Sequence, residues 1–438
     1  QIVGIITGTG WHHQFGKFSD QGITEFTKLV VPAGTGDDTN ARFALNALAL
    51  TLADGNNEAT RLMVSGVFVK ALEKASDPEV KSFFLYHLKF FAKEEAVESV
   101  SKYLSDPELV EYAAAALVNM KNHTAMHALK IALPEMKGKC QIVVVRGLGD
   151  YGAFCADSAI RSLANTNNPE LKKVVLYALS QIGSKESSDV MISEARRINF
   201  GYEPTEATRA LVNYTDHLAA NGELELTKKI CTLLVKECQA PGNIANGMAA
   251  LGVMTKYFGY DALDMLLQAV DSPDPKYRAS ALNQALSIKD VAAVRKWMAK
   301  AEFVQPDVRA EIITMLSKIG DPTIMPLIRK SIKSDNSVLR AAALQALADM
   351  NGKSALPTIL KDLETASGDE LDACQMMLNS MVSLKEIETV AAAIDQVPAT
   401  AKPVLINLIG SRKATGQFDR ILSLTADKDA NVSKAAFN

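Results

Sequence analysis

The stretch Ser334-Asp-Asn-Ser-Val-Leu-Arg-Ala-Ala-Ala-Leu-Gln-Ala-Leu347 has the pattern of a capped amphipathic helix. Ser, Asp and Asn side chains at its beginning can accept hydrogen bonds from the free N–H groups of a helix start. Apolar residues then recur at three- and four-residue spacing, which places them on one face of a helix. The many alanines are small enough to let a second helix approach that face closely.

The same pattern recurs along the chain. Each copy has a Ser, Asp or Asn, often a Pro, an acidic or polar residue, then Val or Leu and a run rich in Ala and Leu. The copies begin at Ser76, Ser105, Asn168, Ser272, Gln305, Ser334 and Asp427. Clear neighbours are about 30 residues apart, near the short end of the periods known for helical repeats. Pro suits the first turn of a helix, and Gly after the helix suits its left-handed cap.

A second amphipathic segment follows each break, as at Ile324–Ile332. The unit is therefore a helical hairpin, and hairpins must stack because neither helix can bury its apolar face alone. We predict an all-α solenoid of about 12 hairpins over residues 38–438, with the last repeat truncated. Residues 1–37 are predicted to form an N-terminal arm or cap, and a subdivision is possible near 198–240. We expect the stacked second helices to line the concave surface.

The composition restricts the class of protein. The chain has 438 residues, a net charge of −3 and 48% hydrophobic residues, which is too long for one compact core. The near-neutral charge argues against nucleic-acid binding, and no apolar window is long enough for a transmembrane helix. The five cysteines are irregularly spaced and are predicted to be small buried core residues. Because Gln1 is not Met and the sequence stops within a predicted helix, we expect a removed signal peptide or a fragment of a longer protein.

No motif predicts a catalytic, cofactor or metal site. The glycine-rich segments Thr7–Gly10 and Gly34–Asp38 lack the Gly-Lys-Ser/Thr ending of a phosphate-binding loop. His123 and His127 are four residues apart on one helix face, but neither a third ligand nor the Glu of a zinc-protease motif accompanies them. An enzyme with a site in the N-terminal arm, near His12-His13, is kept as a third hypothesis.

The segment Ile198–Thr205 lengthens one repeat. Insertions in a solenoid tend to collect on one face and often serve binding. Tyr202, Glu203, Arg209 and Tyr214 surround this insertion, and aromatic side chains beside a charge suit the recognition of a peptide or a sugar. These four are the candidate binding residues. The alternative for the same residues is ordinary helix packing around a surface turn.

The segment Val338–Leu347 resembles the Val-Arg-x-x-Ala-x-x-Ala-Leu core of the HEAT-repeat family, with one residue inserted. The resemblance implies that the basic residue of this core pairs with an Asp of a neighbouring repeat and forms a ladder along the array. We carry this structural role over to Arg278, Arg309 and Arg340. One HEAT-repeat enzyme class binds two irons through His-Glu pairs, and this sequence contains no His-Glu dipeptide. Another HEAT-like class attaches bilin pigments, and no feature selects that activity.

Three further segments, Val31–Leu48, Leu171–Gly183 and Gly201–Leu211, resemble the HEAT region of exported Bacteroidetes proteins. Many of those carry a C-terminal β-sandwich domain of the 3-keto-disaccharide hydrolase type. The resemblance implies a periplasmic or otherwise extracytoplasmic protein, the alternative being a soluble cytoplasmic one. Our first hypothesis is a non-catalytic scaffold that binds a protein partner or a glycan. The alternative is the solenoid portion of a carbohydrate-active protein whose catalytic domain lies beyond residue 438.

Overall fold

The structure is a computed structural model that describes residues 19–53 and 57–438. Within these ranges all regular structure is helical, which confirms the predicted all-α class. The α-helices are, in chain order, α1 (Asp20–Lys28), α2 (Thr39–Ala53), α3 (Glu58–Lys74), α4 (Pro78–Phe91), α5 (Val97–Ser101), α6 (Val110–Met120), α7 (His123–Ala132), α8 (Gly138–Tyr151), α9 (Asp157–Arg161), α10 (Pro169–Ile182), α11 (Ser188–Arg197), α12 (Ala207–Ala220), α13 (Leu224–Glu237), α14 (Ile244–Phe258), α15 (Leu263–Ala269), α16 (Pro275–Ala285), α17 (Val291–Ala301), α18 (Pro306–Ile319), α19 (Met325–Ser331), α20 (Ser337–Asn351), α21 (Leu356–Asp362), α22 (Asp369–Met381), α23 (Ile387–Ala393), α24 (Lys402–Ser411), α25 (Phe418–Leu424) and α26 (Ala430–Phe437).

The recurring polar residues cap most of the first helices that the pattern predicts, although α6 and α18 begin without a side-chain cap. The Asp77 carboxylate accepts hydrogen bonds from two N–H groups in the first turn of α4, and Pro78 occupies the first helical position. Asp274 does the same at the start of α16. Gly183 and Gly320 follow α10 and α18 with φ of 62° and 78°, the left-handed cap that glycine adopts without strain.

The helices are arranged as hairpins, usually a long first helix and a shorter second helix. A 3₁₀ turn commonly opens the second helix, as at Glu94–Ala96 before α5. Hairpins run from α2–α3 to α24–α25, about a dozen in the described ranges, and the single helix α26 follows. This arrangement agrees with the predicted stack of hairpins.

First helices of successive hairpins pack side by side at short range. A Cβ built on Gly149 in α8 would lie 2.6 Å from the Cα of Ala178 in α10. A Cβ on Gly147 would lie 3.3 Å from a methyl group of Val118 in α6. Small residues therefore set the spacing between first helices, because anything larger than hydrogen at Gly149 would force α8 and α10 apart.

The chain divides into two compact units, Gln1–Ala250 and Leu251–Asn438, which we call unit 1 and unit 2. The dividing point lies within α14, past the 198–240 region where the sequence suggests a possible subdivision. Each unit has its own buried apolar core, which includes Phe68 in unit 1 and Trp297 in unit 2.

The predicted N-terminal arm is described from residue 19 onward. Its glycine-rich start and the His12-His13 pair lie outside the described residues. Helix α1 follows, capped by the Ser19 hydroxyl, with Ile23 buried. The N–H of Val31 then donates to Asp38 Oδ2 over 3.0 Å, which ties the loop after α1 to the beginning of α2.

Four of the five cysteines are buried, as the sequence predicts. The exception is Cys155, an exposed thiol at the beginning of the second helix of its hairpin. Its Sγ lies 3.1 Å from the sulfur of Met126, and all five cysteines are free thiols. The exposed position was not predictable, because Cys155 stands in the short turn between helices, where burial depends on the neighbouring hairpin.

Candidate functional site

A groove of about 480 Å³ lies in unit 1 between the first helices α8, α10 and α12. It also touches the end of the 198–205 insertion, through Thr205. We call it the charged groove, lined among others by Arg146, Glu170, Lys173, Tyr177, Glu206 and Arg209. Its size is in the range of ligand pockets in proteins, about 300 to 1,000 Å³ on the general scale.

Glu206 connects two cations in the charged groove. Its carboxylate accepts a hydrogen bond from Lys173 Nζ over 2.6 Å and another from Arg209 Nη1 over 3.1 Å. The hydrogen bond from Lys173 holds the pKa of Glu206 below its ordinary value, so this carboxylate is ionised at neutral pH. The Arg209 side chain is nevertheless 71% exposed. Because a guanidinium has five N–H donors, Arg209 keeps several donors available to a ligand.

Tyr177 supplies the aromatic surface of the charged groove. Its hydroxyl donates to Asp150 Oδ1 over 2.6 Å, and its ring is partly exposed. Burial and the neighbouring Asp150 carboxylate raise the pKa of Tyr177 to about 12. The side chain therefore stays neutral at neutral pH and presents a fixed ring face. Such a ring offers contact area at little cost in side-chain entropy.

The insertion after α11 is built from strained backbone. Asn199, Phe200 and Glu206 all have φ between 51° and 54°, the left-handed region that residues other than glycine rarely adopt. The conformation is held by the buried Phe200 ring and by the Phe200 N–H, which donates to the carbonyl of Ala195 over 2.9 Å. The Thr208 hydroxyl adds a hydrogen bond to the carbonyl of Gly201 over 3.1 Å. Strain of this kind persists only where the surroundings enforce it.

The four candidate binding residues do not share one environment. Tyr202 is 85% exposed on the insertion, and Arg209 lines the charged groove. Glu203 holds the insertion together, since its carboxylate bonds Arg197 over 2.7 Å and the Thr205 hydroxyl over 2.8 Å. Burial by itself would raise the pKa of Glu203, but these hydrogen bonds outweigh it and lower the pKa.

Tyr214 requires a correction, because it is fully buried and cannot touch a ligand in this conformation. Its hydroxyl donates to the main-chain carbonyl of Ser184 over 2.6 Å, which joins α12 to the preceding hairpin. Burial raises its pKa well above the ordinary value, so the hydroxyl stays protonated as a donor. The surface assignment is wrong because the face of α12 that carries Tyr214 packs inward.

The predicted ladder of basic residues forms in part, with a different acidic partner. Arg278 pairs with Glu311 at 2.7 Å and Arg340 with Glu370 at 2.5 Å, each in the following hairpin. The partner is therefore Glu and not the expected Asp. Arg309 instead donates to the carbonyls of Ala301 and Glu302, and no ion pair in the described residues includes it. The identity of the residue that faces each arginine depends on how the next helix is placed.

Sequence reasoning missed two similar pairs in unit 1. Arg42 in α2 makes a bidentate contact with Glu79 in α4 at 2.7 and 2.8 Å, and Lys173 reaches Glu206 in the next hairpin. Arg42 occupies the fourth position of its helix, as Arg278 does. For Arg42, a basic residue at this position followed by an acidic residue one repeat later was the available signal; Lys173 is the fifth residue of α10 and does not fit it.

A second groove of about 550 Å³ lies in unit 2 between the first helices α16, α18 and α20. We call it the apolar groove, lined among others by Ala279, Leu282, Ala310, Thr314, Val338 and Ala342. Asp307 and Lys318 also line it. Asp307 and Thr314 hold the same positions in α18 as Glu170 and Tyr177 hold in α10, so the two grooves are equivalent places in the repeat.

Both grooves lie on first helices, whereas the repeat pattern predicts a ligand-facing surface on the second helices. Many of the second helices, such as α5 and α9, are short and start after a 3₁₀ turn, so these offer less continuous surface.

The structure contains no arrangement typical of metal binding in the described residues. His123 and His127 stack with ring centroids 6.1 Å apart, and no group of three potential ligands that could hold a metal ion occurs among residues 19–53 and 57–438. In the same ranges, no helix has the length and apolar character needed to cross a membrane.

Comparison with known proteins supports the fold. Residues 297–379 match the family model of HEAT repeats. The crystal structure of Kap121p is similar with a TM-score of 0.51 at 11% identity, covering 100% of this chain and 55% of that chain. The karyopherin Kap121p bound to the extreme C-terminus of the protein phosphatase Cdc14p gives 0.53 at 11% identity, with 95% and 53% covered. Kap121p bound to Nup53p gives 0.51 at 11% identity, with 95% and 52% covered.

The fold is therefore an all-α solenoid of helical hairpins, similar to that of the karyopherin Kap121p, and its segment 297–379 matches HEAT repeats. At this level of identity the likeness shows the fold alone, and this chain spans about half the length of the solved structures it matches. No curated protein is a significant match to the sequence.

Proposed function

We propose that this chain is a scaffold that binds a segment of a partner protein across the first helices of unit 1. The observation that carries the proposal is the charged groove, in which Arg209 is exposed beside the strained insertion that displays Tyr202. An aromatic ring and an arginine on a fixed surface are the residue types that dominate protein interfaces. Strain in the insertion is consistent with a segment whose conformation is maintained for binding.

The chemistry of the groove favours a polypeptide ligand. Arg209 and Lys173 can bond a carboxylate or main-chain carbonyls, while Glu170 can accept from an N–H or a basic side chain. Tyr177 adds a flat apolar surface between them. Kap121p, which shares the fold, has been solved bound to the extreme C-terminus of one protein and bound to Nup53p. These complexes of Kap121p support the proposal that the partner of this chain is also a protein.

The test begins with capture by the immobilised chain from extracts of the source organism, with mass spectrometry to identify what is retained. The purified partner is then titrated against Tyr202→Ala and Arg209→Glu. Each should weaken binding at least about tenfold without changing the melting temperature, because truncating a central anchor typically costs about 1.5 to 4 kcal/mol. Phe303→Ala is the matched control, since Phe303 is 88% exposed and lies in unit 2.

Equal affinity of the wild type and all three variants for the purified partner would contradict the proposal. Equal binding of the partner to the wild type and to Phe303→Ala, together with loss of binding to Arg209→Glu, would support the proposal. Cross-linking from a photoreactive group at residue 202 gives an independent readout, because it reports proximity and not affinity.

An exported, carbohydrate-active parent and a glycan ligand stay predictions of the sequence resemblance. A gene in which a β-sandwich hydrolase domain follows Asn438 would support the parent protein. A gene with further repeats and then a stop codon would contradict it.

A further inference from the structure

The apolar groove in unit 2 has a charge at each end. Asp307 and Lys318 both lie on α18 and both line the groove. They are 11 residues apart, which is about three helical turns or about 16 Å and brings them to the same face. Among the described residues neither takes part in an ion pair, and the nearest polar partner of Asp307 is the Asn336 amide, at 3.5 Å. The groove is therefore acidic at the beginning of α18 and basic at its end.

The groove between these two charges is lined mainly by small and apolar residues, together with Glu311, whose carboxylate is paired with Arg278 at 2.7 Å. Ala310 lies on α18 between them, Ala279 and Leu282 come from α16, and Val338 and Ala342 come from α20. Val338 is about half exposed, which adds an open apolar side chain to the groove wall. Small side chains allow the backbone of another element to approach closely.

A helix suits this surface better than an extended segment. Every peptide group of an extended segment needs a hydrogen-bond partner. Between the charged ends the lining offers the side chains of Asn283 and Thr314 and the Glu311 carboxylate, which already accepts two hydrogen bonds from Arg278. A helix satisfies its own N–H and C=O groups and can bury an apolar face in a groove between helices.

We infer that the apolar groove binds an amphipathic helix of a partner protein, antiparallel to α18, with an acidic residue near its N-terminus and a basic residue near its C-terminus. The inference rests on the proposed function as a protein-binding scaffold and adds the partner's chemistry at a second site. The orientation follows from two independent effects. Asp307 attracts the basic residue and Lys318 the acidic one, and a helix itself favours acidic residues in its first turn and basic residues in its last turn. The two charges of the partner helix are about 11 residues apart, matching the span on α18.

The experiment uses the purified full chain and two synthetic helical peptides of about 18 residues. Both are acetylated and amidated, with Leu and Ala on one face and Gln on the other. One carries a Glu in its first turn and a Lys about 11 residues later, and the other has the two exchanged. Affinities are measured by fluorescence anisotropy for the wild type and for the double variant D307K/K318E. Both proteins are measured with both peptides, and they differ only in the exchanged charges. An intrinsic difference in helicity between the peptides therefore affects both proteins equally and cancels.

The wild type should prefer the peptide with N-terminal Glu about fivefold, and the double variant should prefer the other peptide by a similar factor. Thr314→Trp, which places a large side chain into the groove from an exposed position, should abolish binding of both peptides. No binding up to millimolar concentration, or a preference that D307K/K318E leaves unchanged, would overturn the inference. Because the assay needs no natural partner, its failure is distinct from a failure of the capture experiment on unit 1.

Discussion

Substitution of Gly149 by alanine tests how first-helix packing builds the charged groove. Arg146 lies on α8 and Tyr177 on α10, and Gly149 is a point of very close approach between these two helices. A Cβ at this position would meet the Cα of Ala178 at 2.6 Å, whereas non-bonded carbons prefer about 3.5 to 4 Å. The helices must therefore separate by roughly 1 Å, because the obstacle is backbone and cannot rotate away.

The magnitude follows from two opposing effects. Alanine in place of glycine within a helix stabilises by up to about 1 kcal/mol. Overpacking of a tight contact costs about 1 to 3 kcal/mol, and the upper part of that range applies where backbone has to move. We therefore expect Gly149→Ala to lower the free energy of unfolding by about 1 to 2 kcal/mol and to widen the groove between Arg146 and Tyr177.

The matched control is Gly66→Ala. Gly66 lies in the middle of α3, and a Cβ there would meet nothing within 4 Å. Only the helix-propensity effect remains, so this variant should be more stable by about 0.5 to 1 kcal/mol. The pair separates loss of packing from change of propensity, because the chemical substitution is the same.

Urea unfolding followed by far-ultraviolet circular dichroism gives the order of stability of the three proteins. Because repeat arrays can unfold in parts, hydrogen exchange of peptides from 138–151 and 169–182 locates the effect. The reasoning is refuted if Gly149→Ala is as stable as the wild type, or if its faster exchange lies outside α8 and α10.

Three further predictions concern stability and pH. Tyr214→Phe should lower the unfolding free energy by about 1 to 2 kcal/mol in urea titrations and leave partner affinity unchanged, because it removes a buried hydrogen bond and no surface contact. Arg340→Met should lower the free energy of unfolding by roughly 3 kcal/mol, because Glu370 is 1% exposed and would be left as a buried, unpaired charge. A loss below about 1 kcal/mol in urea titrations would contradict this reasoning. Burial by itself would raise the pKa of Glu95, but hydrogen bonds from Arg61 outweigh it and lower the pKa to about 2. The pair therefore stabilises the fold above about pH 4.5, and this contribution to the free energy of unfolding is lost as the pH falls toward 2. Melting temperatures of the wild type and Glu95→Gln should therefore converge across that range, and a constant difference would contradict the pairing.

Local signals in the sequence predicted the architecture well. The copy of the repeat pattern that begins at Ser76 contains its own helix cap in Asp77, its first-turn proline in Pro78 and the apolar spacing of α4. Each of these acts within a few residues, so the position of the chain in space is not needed to recognise it. Where the pattern is imperfect, the helix begins later than the pattern predicts. The copy at Ser105 leads first to a turn, and α6 begins only at Val110, without a side-chain cap.

The candidate site was predicted less completely. The insertion and Arg209 were found because a break in the repeat period is visible in sequence. Tyr214 could not be placed on an inner or outer face, since the face of α12 that packs inward is set by the neighbouring helices and not by the local sequence. Glu206, immediately before α12, has a φ of 54°, and no pattern in the sequence predicts left-handed backbone at a glutamate.

The ladder shows the same division between local and long-range information. Arg278, Arg309 and Arg340 occupy one position of the repeat, and the sequence identifies all three. Only the placement of the following hairpin decides that two of them meet a glutamate while Arg309 bonds main-chain carbonyls. A side-chain partner one repeat away depends on fine differences in helix spacing, and no local pattern encodes that distance.

The sequence by itself determined that the chain is a stack of helical hairpins, because caps, prolines, glycines and apolar spacing act over a few residues. Tertiary structure alone decided which faces of the helices remain open. The charged and apolar grooves exist because first helices pack closely at some points, as at Gly149, and diverge at others. That spacing is a property of pairs of helices in contact, so it appears only once the hairpins are stacked.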